Sequence, residues 1–468
     1  MEQYRADWEE WHDSRIAGLA TPNGFLSLTG LIWLAEGDER TIREIPGTFT
    51  RSSEWLHFDP ESGGSTGPTA AALDIMEDDI TFPRAERVQV VRSADTGRLS
   101  VWLPEGASLN WLTDGPVVIE ALNRDGYMGL RIRDSRSKLL SSFIDIPTFE
   151  LDRSFATQGQ FTPYAQPELR RIDTAAPGLQ INTYVVGTVE FALRGTTYTL
   201  LATGHPETGL HLDFYDDTNG GTTSQWRRLS IGTPDSSGRV IVDFNRAVNY
   251  PMAFTPFATC PAPVPENRIS EPITAGEQAP RQTLSENGLR TPIVIVETSR
   301  GLFFGRTLDQ LAEGGIHCDF VRLHEGEQLP SLIGYQGVII FGFADGDDEQ
   351  RWTVSRDDVI GFLDDAMSSH IPTIAVGDAC RLLEIAAGAQ VDGGDLPLPQ
   401  SLVSEAESVE VSLSDDVAED ALFRNLVTSP NAPLGRLRAS TEGEDESLIR
   451  SWNDLVNRFI RMLHTERS

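Results

Sequence analysis

A chain of 468 residues is long for a single core and fits two or three domains, of which we expect two. Its 70 acidic residues against 38 basic ones give a net charge of -32, which repels polyanions and disfavours nucleic acid as a partner. Cys260, Cys318 and Cys380 are odd in number and lack any C-x-x-C spacing, so neither a disulfide framework nor a metal site is read from them, and a reducing compartment is implied.

The N-terminus is charged throughout, and no later run approaches the roughly 18 apolar residues of a membrane span. We therefore expect a cytoplasmic protein with no membrane partner and no cofactor, and the sequence leaves the oligomeric state open. In residues 2–19, Tyr4, Trp8, Trp11, Ile16 and Leu19 fall at helical spacing and predict an amphipathic helix. From about residue 40 to 250 short β-rich runs ("RVQVV", "SVWLP", "YMGLRIRD", "LHLDF") alternate with Gly, Pro, Asp and Asn. The clearest hairpin is "VEFALRGTTYTLLA", with its turn at Arg194-Gly195. Strands without intervening helices predict a mainly antiparallel sandwich or barrel over residues 1–272.

Residues 260–288 are dense in Pro and polar side chains, so 273–290 reads as a linker. From Pro292 onward strands and helices alternate: "PIVIVE", "TLDQLAEGG", "CDFVRLH", "GVIIFG", "SRDDVIGFLDDAMSSH", "TIAVG", "ACRLLEIAAG". Continuous apolar strands between amphipathic helices predict a parallel sheet covered on both faces over residues 291–468. Strands at 293–297, 337–341 and 373–376 should be neighbours in it, with Gly377 at the C-terminal edge, and "ESLIRSWNDLVNRFIRMLH" should form a final amphipathic helix. The fold class is thus α+β with two domains.

The stretch "IPTIAVGDACRLLEIAAGAQV" has the outline of a nucleophile elbow, a strand turning sharply into a helix. With "GVIIFG" before it, residues 291–468 resemble the class I glutamine amidotransferase fold, which is flavodoxin-like. Aligned from the helix end, that family's nucleophile position falls on Gly377, and Cys380 lies one helical turn further on. A glycine removes both the strained side chain and the nucleophile, while Cys380 reads as a small buried hydrophobe. The stretch matching the family's H-P-E-like motif, "APLGRLRASTEGEDESLI", has no His, and the oxyanion loop is altered to "FGFADGDDE". The resemblance therefore implies a catalytically inactive amidotransferase-like domain. An active glutaminase, the alternative, needs a Cys–His pair.

In the first domain "GFLSLTGLIWLAEGD", "DDTNGGTTSQWRRL" and "VDFNRAVNYPMAFTPFATCPAPVPENRI" followed by "ITAGE" resemble, in order and spacing, the domain-of-unknown-function family 1684. The resemblance implies a fold and no reaction, so the residues are read directly. Asp243, Asn245 and Asn249 follow a strand, and with Asp217, Thr218, Arg228 and Glu277 they offer acid, amide, hydroxyl and guanidinium groups to a small polar or anionic ligand. The same residues also brace turns by bonding backbone amides. Arg227-Arg228 is the pair suited to an anion. Met252 stands where the family has Cys, so no disulfide with Cys260 is available. Two functional readings follow: a ligand-binding or regulatory protein, or a hydrolase or lyase with Asp243 or Glu277 as base.

Overall fold

The computed structural model describes residues 2–61, 69–70, 88–285, 288–298, 307–342, 353–377, 379–386, 408–413 and 435–440, with positions 456, 457, 459–461 and 463 of the last helix. The chain divides into two compact units, Met1–Leu289 and Arg290–Ser468. The first is built from antiparallel sheets, and the second holds four parallel strands.

Two five-stranded sheets open the first unit. One runs Leu28–Leu34, Tyr127–Asp134, Val117–Arg124, Ser108–Asp114, Thr69–Ala70; the other Glu39–Ile42, Ile45–Ser52, Trp55–Pro60, Leu99–Trp102, Gln89–Arg92. Period-two alternation sends Phe49, Leu56, Phe58 and Val101 from one sheet and Leu109, Trp111, Ile119 and Leu130 from the other into one shared core.

A seven-stranded antiparallel sheet follows, in the order Arg239–Asp243, Ala156–Asp173, Gln180–Leu193, Thr196–His205, Gly209–Phe214, Arg227–Gly232, Val248–Asn249. Arg227–Gly232 also lies against Arg239–Asp243 at the opposite end, so the sheet curls around a core that includes Phe161, Val189, Phe191, Phe214, Leu229, Val242 and Phe244. The Gln180–Leu193 and Thr196–His205 strands turn at Arg194-Gly195, both at positive φ, as two-residue hairpins require.

Residues 273–285, expected as linker, are instead integral to the first unit. Ile273 and Ala275 are fully buried in the curled sheet's core, and Thr283–Ser285 pairs with Gly288–Arg290. Gly276 explains the attachment: at φ +78 it passes so close to the turn after Asp243 that a Cβ would lie 2.6 Å from the Ala247 carbonyl oxygen and 2.7 Å from that of Phe244. Polar, Pro-rich composition imitates a linker here because the segment is held by backbone fit.

In the second unit the parallel strands run Cys318–Arg322, Ile293–Glu297, Val338–Gly342, Thr373–Gly377, and Ser408–Leu413 and Gly435–Ser440 extend the sheet antiparallel. Ile293, Ile295, Ile339 and Ile374 face Leu311, Val456, Phe459 and Leu463 on one side. Val294, Val296, Val338 and Ala375 face Val359, Leu363 and Leu383 on the other, which is why these strands are apolar without alternation. Gly377 ends its strand opposite Gly342, where a Cβ on Gly342 would stand 2.8 Å from the Ala379 amide nitrogen. Cys380 belongs to the helix Ala379–Ala386, and positions 343–349 of the altered oxyanion stretch lie outside the described residues. Among the described residues no helix is long and apolar enough to cross a membrane.

Candidate functional site

The first unit contains a cavity of about 470 Å³, within the size range of small-molecule sites. Arg124 and Arg131 come to it from the first sheet, Ile181, Tyr184, Thr203, His211, Arg228, Val248 and Asn249 from the curled sheet, and Tyr250, Thr259, Cys260 and Pro261 from the segment that follows; Arg15 reaches it from the N-terminal helix Glu2–Leu19.

Its charge originates in strand register. Arg131 and Arg133 share one face of Tyr127–Asp134, and Arg131 stands opposite Glu120 on Val117–Arg124. Glu120 accepts from Arg131 Nη1 at 3.0 Å and from Arg133 Nη2 at 2.6 Å, and all three side chains are almost completely buried. Burial pushes the Glu120 carboxyl up, but Arg131, Arg133 and Arg124 outweigh it and hold it down at about 2. Two buried guanidiniums thus share one carboxylate. Arg131 Nη2 donates to Thr259 Oγ1 at 2.5 Å, while its Nε has no hydrogen-bond partner in the protein. Thr203 Oγ1 is likewise buried without a partner.

Alternation separates Arg227 from Arg228. Arg227 points inward, fully buried, and donates to Asp216 at 2.9 Å and to the carbonyls of Ile273 and Ala275, so it is not part of an anion-facing pair. Arg228 faces the cavity, paired with Asp213 at 2.8 Å and 4.8 Å from the Tyr250 ring centroid. Tyr250 donates its hydroxyl to Asp213 at 2.6 Å; burial, then Asp213, pushes its pKa well up, so it stays protonated.

The other sequence-predicted residues sit around this site in different roles. Asn249 lines the cavity, accepting from Ser224 Oγ at 2.6 Å and donating to the Gln278 carbonyl. Glu277 is buried behind it, accepting from the Asn249 amide at 2.6 Å and from Arg15 Nε at 2.9 Å. Asp243 accepts from the Asn245 amide and from the Tyr4 hydroxyl at 2.9 and 3.0 Å, and Asn245 clasps the Asp152 backbone. Thr218 is bound into the turn with Asp216 and Thr223, and Asp217 is exposed. Of the seven, then, Arg228 and Asn249 line the cavity. Met252 and Cys260 pack against the same small cluster around Trp226 and Tyr250, a packing role for both positions.

The sequence motifs do not single out Arg131, Arg133 or Glu120. The signal was available: charged residues inside the apolar strands "VVIEAL" and "YMGLRIRD" are seldom buried unless paired. Among the described residues no cluster of three or more His, Cys, Asp and Glu is arranged to hold a metal ion.

The chain thus joins a β-rich unit with an arginine-lined cavity to a parallel α/β unit. Residues 141–278 match the family described as a protein of unknown function, DUF1684. The match takes in Thr203, Arg228, Asn249 and Glu277 but not Arg15, Arg124 or Arg131. Among solved structures, the solution NMR structure of an uncharacterized protein from Haloarcula marismortui is 25% identical, covering 30% of this chain and 78% of its own, with a TM-score of 0.26. No curated protein matches.

Proposed function

We propose that the first unit binds a small anionic ligand in this cavity. The reading is carried by Arg131, which shares Glu120 with Arg133, is 2% exposed, lines the cavity and keeps an unpartnered Nε. Leaving such a group unserved is costly, and an oxyanion satisfies both its charge and its donor. Calorimetric titration with carboxylates and phosphates, against neutral amides and amines of the same shape, tests it. Anions alone should bind, and Arg131→Met should weaken them at least about tenfold, or about 1.4 kcal/mol; equal binding of the neutral analogues would refute the reading. The hydrolase or lyase reading draws no support from this cavity, since neither Asp243 nor Glu277 lines it and the oxygens of both already accept hydrogen bonds.

For the second unit we infer an amidotransferase-like, flavodoxin-like scaffold without glutaminase chemistry. Support comes from the parallel strand order, second-first-third-fourth in chain sequence, which is that of flavodoxin-like sheets, and from Gly377 at the strand end. Burial, with Asp319 adding to it, pushes the Cys318 thiol up to about 12, far from a nucleophile's range. Purified protein should release no ammonia from glutamine; turnover lost in Cys380→Ala would overturn this.

A further inference from the structure

The ligand's chemical class can be narrowed, given the reading that an anion binds here. A bare oxyanion would occupy only a fraction of about 470 Å³ and would leave two features of the walls unserved. The first is the apolar lining: Phe25, Ile181, Val248, Tyr250, Pro251 and Pro261 all border the cavity. Tyr250 counts among them, because its hydroxyl is committed to Asp213 and its ring is fixed over Arg228. The second is Thr203 Oγ1, a buried hydroxyl with no partner, on a different sheet from Arg131. A hydroxyl in that state calls for a donor or acceptor on whatever fills the space.

Glu105, the acidic residue in the lining, does not offset this. Its carboxylate accepts from the Asp125 and Gly126 amides at 2.8 and 3.0 Å and so serves the neighbouring turn.

We propose that the ligand is an amphipathic organic acid: an oxyanionic group at Arg131, an aliphatic or aromatic body along the apolar wall, and a second hydrogen-bonding group at Thr203. The parts have separable signatures. Burying the body strengthens binding by about fourfold per added methylene, an increment inorganic phosphate cannot supply. A hydrogen bond to Thr203 adds a preference for hydroxylated over plain acids that Thr203 alone controls.

The experiment is calorimetry on the full chain with inorganic phosphate, acetate, butyrate, hexanoate, phenylacetate and 4-hydroxyphenylacetate, and alkyl phosphates as a second head group. Affinity should climb with the apolar body, and whichever head group binds tighter identifies the oxyanion. At least one hydroxylated acid should bind several-fold tighter than its plain counterpart, and Thr203→Val should erase that difference. Thr203→Val removes one hydroxyl without stranding a charge, so it tests the site even if Arg131→Met fails to fold. If acetate or phosphate binds as tightly as the longer acids, the amphipathic class is wrong while anion binding stands. If Thr203→Val leaves every ratio unchanged, the second polar anchor is wrong. If no anion binds, or Arg131→Met folds and binds as well as the native protein, the underlying reading fails as well.

Discussion

Glu120 is the residue on which the cavity's charge turns. Its folded value of about 2 lies below its ordinary 4.5, so it contributes stability that is fully present above 4.5 and is lost as pH falls through about 2. Glu120→Gln would leave Arg131 and Arg133 buried side by side without their shared carboxylate, a change that costs about 3–5 kcal/mol for buried pairs. Denaturant melts from about pH 7 down to about pH 2 should show that loss at neutral pH and a flatter acid limb in the variant. An unchanged acid limb would mean that Glu120 does not titrate between those limits. At this scale the sequence was partly legible. It offered Asp217, Thr218, Arg228, Asp243, Asn245, Asn249 and Glu277 to one ligand, whereas of these Arg228 and Asn249 line the cavity, and Asp243 and Glu277 bond instead to Tyr4, Asn245, Asn249 and Arg15. It took Arg227 and Arg228 as one anion-facing pair, yet the two differ by one step along a strand, and that step separates the core from the cavity.

The N-terminal helix Glu2–Leu19 shows the same limit for an element. Its aromatic spacing was readable, yet it buries only His12 and Leu19 and is held instead through polar atoms. Tyr4 donates to Asp243, Trp8 Nε1 to the Asn245 carbonyl at 2.7 Å, His12 lies 2.8 Å from Asp145, and Arg15 pairs with Glu277. Helical period put these four on one side, but an amphipathicity argument weighs them only as apolar or polar surface. The hydrogen bond to Asp145 raises the His12 pKa, and burial opposes it. A raised folded value gives stability that is complete below about 6.5 and is lost as pH rises through the folded pKa. Hydrogen exchange across the helix should therefore quicken from about pH 5 to about pH 9 beyond its intrinsic dependence, and His12→Gln should remove the excess. Equal protection at both ends of that range would show that the charged His12–Asp145 pair contributes nothing to docking.

For the whole molecule the strand alternation and the change of composition near Pro292 made two units legible, because each unit carries its own apolar pattern and its own cores. The charge balance was equally plain and now meets the proposed site. An anion approaching a chain of net charge -32 is repelled at long range, whereas Arg131 attracts it only at short range from a buried position. Salt acts unequally on the two, since the Debye length falls from about 30 Å at 0.01 M to about 10 Å at 0.1 M and buried pairs are screened far less. Stopped-flow association of an alkyl carboxylate or alkyl phosphate should therefore accelerate as sodium chloride rises over that range, opposite to the slowing expected where a basic surface steers an anion. Dissociation should change little, because the contacts broken on leaving are enclosed. A falling association rate would mean that the arginines project their field beyond the cavity mouth, and that the acidic surface is arranged to leave the entrance open.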